Sequence, residues 1–566
     1  MSLHHIKTVI AAGVLIGLTG QAAWADTVTS AWSGATSTTW NTAANWAGGV
    51  PSTTVGALFN STFTNQPNLT ADQTMQGIWL ATGVGQDVTI NAGSARTIFF
   101  NPLATFNDLP NTDILMDDSA NHNLTFGSNI TLNFNGGRSA TAIRVNNAGT
   151  LTIAGVIRGT GSAGVGMTGT GAGTIDVTGQ LGPGGDTPFG VSNVTVILEQ
   201  ANPSMNVPGI SVGAGGVLRL NNTGAIPTGV NCDIQSGGIL QLRSDTDNDL
   251  FTGSYKSAIS QATINVDRKT SGGSNNTLNI GSMTLPNGGT LNVTGGNGYN
   301  LGINALTVGN GYAATVTLNP TTANLTIGTM TAPYNSGGAG QTVSLGGTTT
   351  GNVIAGVISD PVTLPLHAMA LTKSNSSTWT LNGNNTYTGA TILDAGTLVI
   401  NGDQTAATGV VTVKNTATLG GSGIVGGITT VNTGGTLSPG NSPGTLTFNQ
   451  NLTLAGGTGA AGATAIFQAG DLVSVVGILT LNTDWNLTLL DGFQNGGSTT
   501  LFTYGTAGAL DLTPDFDITG LGFTPSGPLT LTNTGSAIVL NGVSIPEPAT
   551  LGLLAIGGLM MLPRRR

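Results

Sequence analysis

Charge is what this chain of 566 residues has least of. Asp, Glu, Lys and Arg together supply 7% of it, where soluble domains usually carry about 25%. Glutamate occurs twice, at Glu199 and Glu547. Helices draw their solvent face largely from Glu, Lys, Arg and Gln, so this shortage excludes a mainly helical body. Bases are scarcer than acids: 15 Lys and Arg stand against 25 Asp and Glu, a net charge of −10. Between residues 26 and 543 no run of bases is longer than a pair. Nucleic acid needs a clustered basic face and is not an expected partner. The single cysteine, Cys232, permits no intrachain disulfide, so burial and backbone pairing must hold the fold. Of four histidines, only His122 and His367 lie beyond the first five residues. Two distant histidines and one cysteine do not make a zinc site or a Cys–His nucleophile pair. An enzyme is not expected, and neither is a cofactor.

What is abundant is glycine, at 89 residues, surrounded by Thr, Val, Ile and Asn–Gly turns. That is strand-and-turn chemistry. Hydrophobic residues, at 39%, recur in short β-branched runs, which favours a buried core over disorder. Short units repeat: "AGTLTIAG" around Leu151, "AGTIDVTG" around Ile175, "NVTVILEQ" around Val196, "GGVLRLNN" around Leu218. They continue through Leu240, Ile264 and Leu291, with landmarks 24, 21, 22, 22, 24 and 27 residues apart. A second series, Leu398, Leu419 and Leu437, is spaced by 21 and 18. Each unit is a turn followed by alternating residues, as a half-buried strand requires. Some turns fall at the interval of an antiparallel sandwich. The wider recurrence is better explained by a parallel β-solenoid whose coils stack like position on like. Low charge then follows, because stacked like charges repel.

The two ends read as addresses. Lys7, the apolar run Val9 to Leu18, and small Ala23 and Ala25 around Trp24 form a secretory signal, which signal peptidase is expected to cut before Asp26. From Ala549 to Leu562 an apolar run would reach only about 21 Å as a helix, short of the roughly 30 Å of hydrocarbon. Pro546 and Pro548 stop that helix from extending upstream, and Arg564, Arg565 and Arg566 form a cytoplasmic basic stop. Pro546-Glu547-Pro548, then Ala549-Thr550, the Leu/Gly-rich run and the arginines resemble a PEP-CTERM sorting signal. That resemblance implies an exosortase-like membrane enzyme as partner, removal of the tail after transient inner-membrane anchoring, and a Gram-negative-type host that makes exopolysaccharide. The mature protein would then reside at the cell surface or in the extracellular matrix.

A further resemblance lies in Leu371 to Asp403. Leu371-Thr372-Lys373, Trp379-Thr380-Leu381, Asn385-Thr386-Tyr387-Thr388-Gly389 and Ala395-Gly396-Thr397-Leu398, with "GGTLSPGNSPGTLTF" downstream, resemble the passenger-associated, autotransporter-type β-strand repeat. It implies a right-handed parallel β-helix displayed outside the cell. Autotransporters close on a membrane β-barrel; the stretch after Leu454 does not read as one, so the tail address is expected to replace self-translocation. The expected fold is all-β: a right-handed parallel β-helix with terminal capping strands, flanked by short apolar targeting helices. The division is a signal peptide at 1–25, an N-terminal cap with first strands at 26–130, and irregular solenoid repeats at 131–370. The autotransporter-type repeat region at 371–457, capping strands at 458–543 and the sorting signal at 544–566 follow.

Candidate sites are few. Trp32, Trp40 and Trp46 read as a plug over the first coil, with a sugar-stacking platform as the alternative. Parallel β-helices also carry polysaccharide-processing enzymes, which need paired acids on neighbouring coils. The dense clusters are Asp117-Asp118 and "RSDTDNDL". In the second, Asp245, Asp247 and Asp249 alternate like the start of a calcium loop, but Leu250 stands where such a loop continues differently; a solvated turn is the plainer reading. Arg268-Lys269 reads as a charged loop. The function expected is a non-enzymatic structural or adhesive protein, presenting rows of Thr, Asn and Ser to exopolysaccharide. The alternatives are a polysaccharide-processing enzyme and a calcium-assisted carbohydrate-binding module.

Overall fold

The computed structural model describes residues 28–545, apart from 101–104, 107–108, 111, 136–141, 161–163, 183–187, 206–207, 258–260, 310–313, 333–339, 361–367, 441–442 and 458–460. It divides into two compact units, Met1–Cys232 and Asp233–Arg566. Both are parallel β-solenoids.

In the N-terminal unit three parallel sheets wrap a common core. One stacks Thr29–Ala31, Gly56–Phe59, Ile78–Leu80, Ile114–Met116, Ile143–Val145, Val165–Gly169, Phe189–Ser192 and Ile210–Val212 in chain order. A second runs from Asn68–Leu69 through Thr150–Ile153 and Thr174–Val177 to Val217–Leu220. The third holds Gln73–Met75, Arg96–Phe100, Ile130–Asn135, Val156–Thr160 and Gln180–Leu181. The alternation read from the sequence decides which side chains go inward: Thr174–Val177 and Thr195–Leu198 bury every second residue. Leu151, Ile175, Val196 and Leu218 consequently stand in one column, each shielded from water on consecutive coils. Full burial of such a side chain contributes roughly 1.5–3 kcal/mol.

The first coil is closed by aromatics. Trp32, Trp40 and Trp46 are 1%, 0% and 5% exposed. Trp32 stacks on Trp40 at 6.1 Å, and Trp46 meets both edge-on at 4.9 and 4.7 Å. A sugar-stacking platform needs exposed ring faces, and these have none to offer; the rings are a plug. Buried Asn45 fixes the segment around them: its amide oxygen accepts from Thr36 and Ser37, and its nitrogen donates to Ser37 Oγ and the Thr39 carbonyl.

The C-terminal unit has two long parallel sheets. The first stacks Leu250–Lys256, Thr277–Leu285, Asn300–Val308 and Leu325–Thr331, and continues through Thr378–Leu381, Gly396–Ile400, Ala417–Gly421, Thr436–Pro439, Thr464–Phe467 and Asn486–Leu489 to Asp515–Asp517. The second runs from Ile239–Arg243 to Leu472–Leu481 and Gln494–Leu510. The parallel pattern ends at Gln494–Leu510, against which Ala537–Ser544 and then Thr530–Asn533 pair antiparallel. An antiparallel hairpin cannot be continued by a further coil in the same sense, so it terminates the stack.

The second landmark series is in register: Leu398 lies on Leu419, and Leu419 on Leu437. One landmark is displaced. Leu291 was expected over Ile264, but it pairs with Ala262, and Ile264 meets Val293. Coil lengths also vary far more than one repeat near 22 residues implies. Thr412 meets Thr430 after 18 residues, whereas Val88 meets Leu124 after 36. Turns absorb the difference, because only the strands must superpose. Many turns need left-handed backbone, supplied by glycine or by asparagines such as Asn121, Asn193, Asn248 and Asn375, which adopt it at little cost. Helices in the described residues are single 3₁₀ turns such as Ala43–Asn45 and Thr519–Leu521. None is long and apolar enough to cross a membrane. The apolar targeting helices expected within 1–25 and 549–562 fall outside the described residues.

Leu419 is fully buried between its two register partners, whereas neighbouring Thr418 faces outward. Leu419→Ala will cost about 2–5 kcal/mol, read as a lower urea midpoint. Thr418→Ala will change stability by no more than about 0.5 kcal/mol.

Candidate functional site

Register that stacks leucines inside also stacks threonines outside. On the second sheet of the C-terminal unit, Gln261, Thr290, Thr317, Ser344, Thr372, Ile392, Thr412, Thr430, Thr453 and Thr480 pair in unbroken succession. On the first, Thr378, Thr397, Thr418, Thr436 and Thr464 do the same, followed by Asn486. Adjacent strands lie about 4.8 Å apart, so each row is a ruler of hydroxyls at that spacing. Except for Ser344, whose hydroxyl bonds Ser374 at 2.8 Å, none of the hydroxyls in these rows bonds another described residue. They are half-buried, flanked by neighbouring strands yet open above. Asparagines elsewhere satisfy one another instead: Asn319 donates to Asn292 at 2.7 Å and Asn324 to Asn300 at 3.0 Å. Polar ladders of this second kind brace the coils; rows of the first kind face outward with their hydrogen bonds unspent.

The acidic clusters singled out in the sequence brace loops. Asp245 accepts from the amides of Lys269 and Thr270 and from the Thr270 hydroxyl. The Thr270 hydroxyl and amide hold its carboxyl below the usual carboxylate range. Asp247 accepts the Thr277 amide at 2.7 Å, and Asp249 accepts the Ser244 hydroxyl. The three carboxylates are thus directed at different donors, and among the described residues no three His, Cys, Asp or Glu side chains gather as a metal group. Arg268 and Lys269 sit on the loop that Asp245 ties down, the Arg268 amide donating to Asp267. Asp117 and Asp118 diverge. Asp117 accepts Trp79 Nε1 at 2.7 Å, and burial raises its pKa. Burial works to raise Asp118 as well, but donors from Ala120, His122 and Asn147 outweigh it and its pKa is lowered. His122 lies 3.2 Å from Asp118 through Nδ1; His367 lies outside the described residues.

Two stretches spell the G-x-S-x-G of serine hydrolases, Gly209 to Gly213 and Gly440 to Gly444. In the first, Ser211 lies mid-strand, paired with Gly190, not on the sharp strand-to-helix turn a nucleophile requires. In the second, Ser442 is outside the described residues. A cavity of about 440 Å³ is lined by Thr445, Asp471, Ser498, Thr499 and Ser544 among others. Its one carboxylate, Asp471, accepts the Gly444 and Gln468 amides. Ala23, Ala25, Pro546, Glu547, Pro548 and the three terminal arginines are outside the described residues.

One group escaped the sequence reading as anything but a motif letter. Lys373 is fully buried, and Nζ donates to the carbonyls of Ser374, Asn375 and Ala395 at 2.7, 3.0 and 3.1 Å. It clasps the turn after Ala370–Lys373 to the next coil. Gly396 lies beside it with φ +70°, where a Cβ would stand 2.3 and 2.6 Å from the Asn375 and Ser377 carbonyls and 2.6 Å from Nζ, so the turn that the lysine clasps leaves room for glycine alone. Burial lowers the ammonium from 10.5 to about 8.

Residues 371–400 match the Passenger-associated-transport-repeat family. They supply Lys373, Gly396 and the row members Thr372, Thr378 and Thr397. A stretch of 61 residues is 52% identical to the Adhesin BmaC autotransporter of Brucella suis biovar 1 (strain 1330), covering 11% of this chain and 2% of that protein. The chain thus spans a small fraction of the relative it matches.

Between pH 8 and 10.5 the unfolded chain holds the Lys373 proton more tightly than the folded one, so stability climbs as pH rises through that window and is lower below it. Lys373→Met will remove this slope in urea titrations across the window. It will also lower stability at every pH, because three carbonyls lose their donor.

Proposed function

We propose that the protein is an exported, non-enzymatic adhesive or structural protein of a bacterial surface or extracellular matrix, built on a right-handed solenoid. The observation that carries this reading is the register of outward threonine hydroxyls with no protein partner on consecutive coils of the C-terminal unit. Each hydroxyl contributes a weak bond of about 0.5–1.5 kcal/mol net. Spaced evenly along a stack, many such bonds to a repeating polymer add through multivalency. Polysaccharide, itself a repeat of hydroxyls, is the partner class this suits. The family matched at 371–400 and the adhesin named among the relatives support surface display and adhesion. The carboxylates of Asp245, Asp247 and Asp471 support a non-enzymatic role, since they are tied to backbone amides of neighbouring loops.

The route is part of the proposal. Signal peptidase would act after Ala25, and an exosortase-like enzyme would recognise Pro546-Glu547-Pro548 and remove the apolar tail with Arg564, Arg565 and Arg566, releasing or transferring the body.

Mass spectrometry of the exported form will give a chain beginning at Asp26 and lacking residues after about Ser544; an intact tail on exported protein would remove the sorting proposal. The exported body will be retained on exopolysaccharide from its own host. Absence of retention, together with unchanged matrix architecture in a deletion strain, would remove the adhesive reading.

A further inference from the structure

We propose that the second sheet of the C-terminal unit is the binding face and that its ligand is an uncharged, extended polysaccharide lying along the stack of coils. Its sugar rings would rest on Val410, Ile428 and Ile478. This rests on the adhesive reading above and adds the face, the orientation and the charge class of the ligand.

Val411, Thr429, Leu452 and Leu479 are register partners. The residues immediately before them, Val410, Ile428, Asn451 and Ile478, therefore occupy equivalent places on four successive coils. Backbone bonds confirm the stacking, from the Val411 amide to the Ile428 carbonyl and from the Thr429 amide to the Asn451 carbonyl, both at 2.9 Å. Three of these four side chains are aliphatic and exposed, by 54%, 49% and 39%. Single exposed aliphatics are ordinary on protein surfaces. Of the nine large aliphatic side chains exposed among the described residues, three share this one register, with Asn451 between the second and the third. Two residues further along the same outward face stand Thr412, Thr430, Thr453 and Thr480 with their hydroxyls unpartnered.

The face thus offers an apolar strip and a hydroxyl strip side by side, both advancing about 4.8 Å per coil. A hexose in an extended, 1,4-linked chain advances by nearly the same distance. Its ring has an apolar C–H face and a rim of hydroxyls, which is the pairing these two strips present. Charge decides between glycan classes. Neither strip contains an ionisable group. The next outward positions hold Asp394 and Lys414, paired at 2.6 Å, so they cancel. On a chain of net charge −10, a polyanion would meet repulsion and find no free base here, whereas a neutral chain meets neither. The threonine row of the first sheet has no such apolar strip: Thr380, Val399, Gly420 and Ser438 stand beside it, none of them an exposed aliphatic side chain.

The test is depletion binding of the exported full chain to microcrystalline cellulose and chitin as neutral probes and to alginate gel as an acidic one. Wild type will bind the neutral probes at least about tenfold better than alginate. The variant Val410→Ser/Ile428→Ser/Ile478→Ser will lose that binding at an unchanged melting temperature. Thr412→Val/Thr430→Val/Thr453→Val will weaken it several-fold through the hydroxyl strip. Thr397→Val/Thr418→Val/Thr436→Val on the first sheet will leave it intact. Equal or better binding to alginate, or neutral binding that survives the aliphatic variant, overturns this inference and leaves the adhesive reading standing. Binding to none of the probes and to no host exopolysaccharide overturns both. A dimer in sedimentation velocity that the aliphatic variant dissociates assigns the face to a second copy of the chain, and overturns the inference as well.

Discussion

Parallel pairing in strict register is the constraint from which the rest follows. Once each coil hydrogen-bonds to the one before it, position for position, a residue type chosen for one coil is placed against the equivalent residue on the next. Inside, this favours aliphatics, since Leu398, Leu419 and Leu437 can pack as a column with few voids. Outside, it penalises charge, because a lysine or aspartate would stand about 4.8 Å from its counterpart. The 7% of charged residues is thus a consequence of the backbone arrangement. Two ionisable groups at the stack show how that cost is met: Asp394 is paired with Lys414, and Lys373 is enclosed by carbonyls.

The same constraint separates two tasks among polar side chains. Asparagine has both a donor and an acceptor, so stacked asparagines can bond along the row, as Asn292 and Asn319 do. Threonine brings a hydroxyl and a methyl on a stiff β-branched stem suited to strands, and in the long rows its hydroxyl is left to solvent or ligand. A wall of the solenoid is therefore either self-satisfied or available, according to which residue occupies the row. Acids follow the first pattern: Asp245, Asp118 and Asp471 each gather amide donors and tie a loop to its neighbours. That is why the clusters most suggestive of catalysis or calcium in the sequence turn out to be braces.

Much of this was legible beforehand. The glycine turns, the alternating strands and the spacing of Leu151, Ile175, Val196 and Leu218 are local patterns, and local patterns survive into the fold because strand pairing repeats them. The tryptophans at the front were readable as a plug because three large rings at the start of a solenoid have an open coil to cover. The slip at Leu291 shows the limit. Strands advertise themselves by alternation, but a two-residue shift preserves the alternation and leaves every apolar residue on the same side, so sequence spacing alone could not choose between Ala262 and Ile264 as partner.

The sequence by itself determined the class of structure: too little charge and too few helix formers for anything but strands, with turns frequent enough to stack them. It could not determine which threonines share a row, because coil length varies from 18 to 36 residues and the variation lies in turns that leave no periodic trace. Nor could it show that Val410, Ile428 and Ile478, separated by 18 and 50 positions, share one exposed strip, or that Lys373 and Gly396 are in contact. Those facts belong to the tertiary structure, since only hydrogen-bond register between coils converts distance along the chain into adjacency in space.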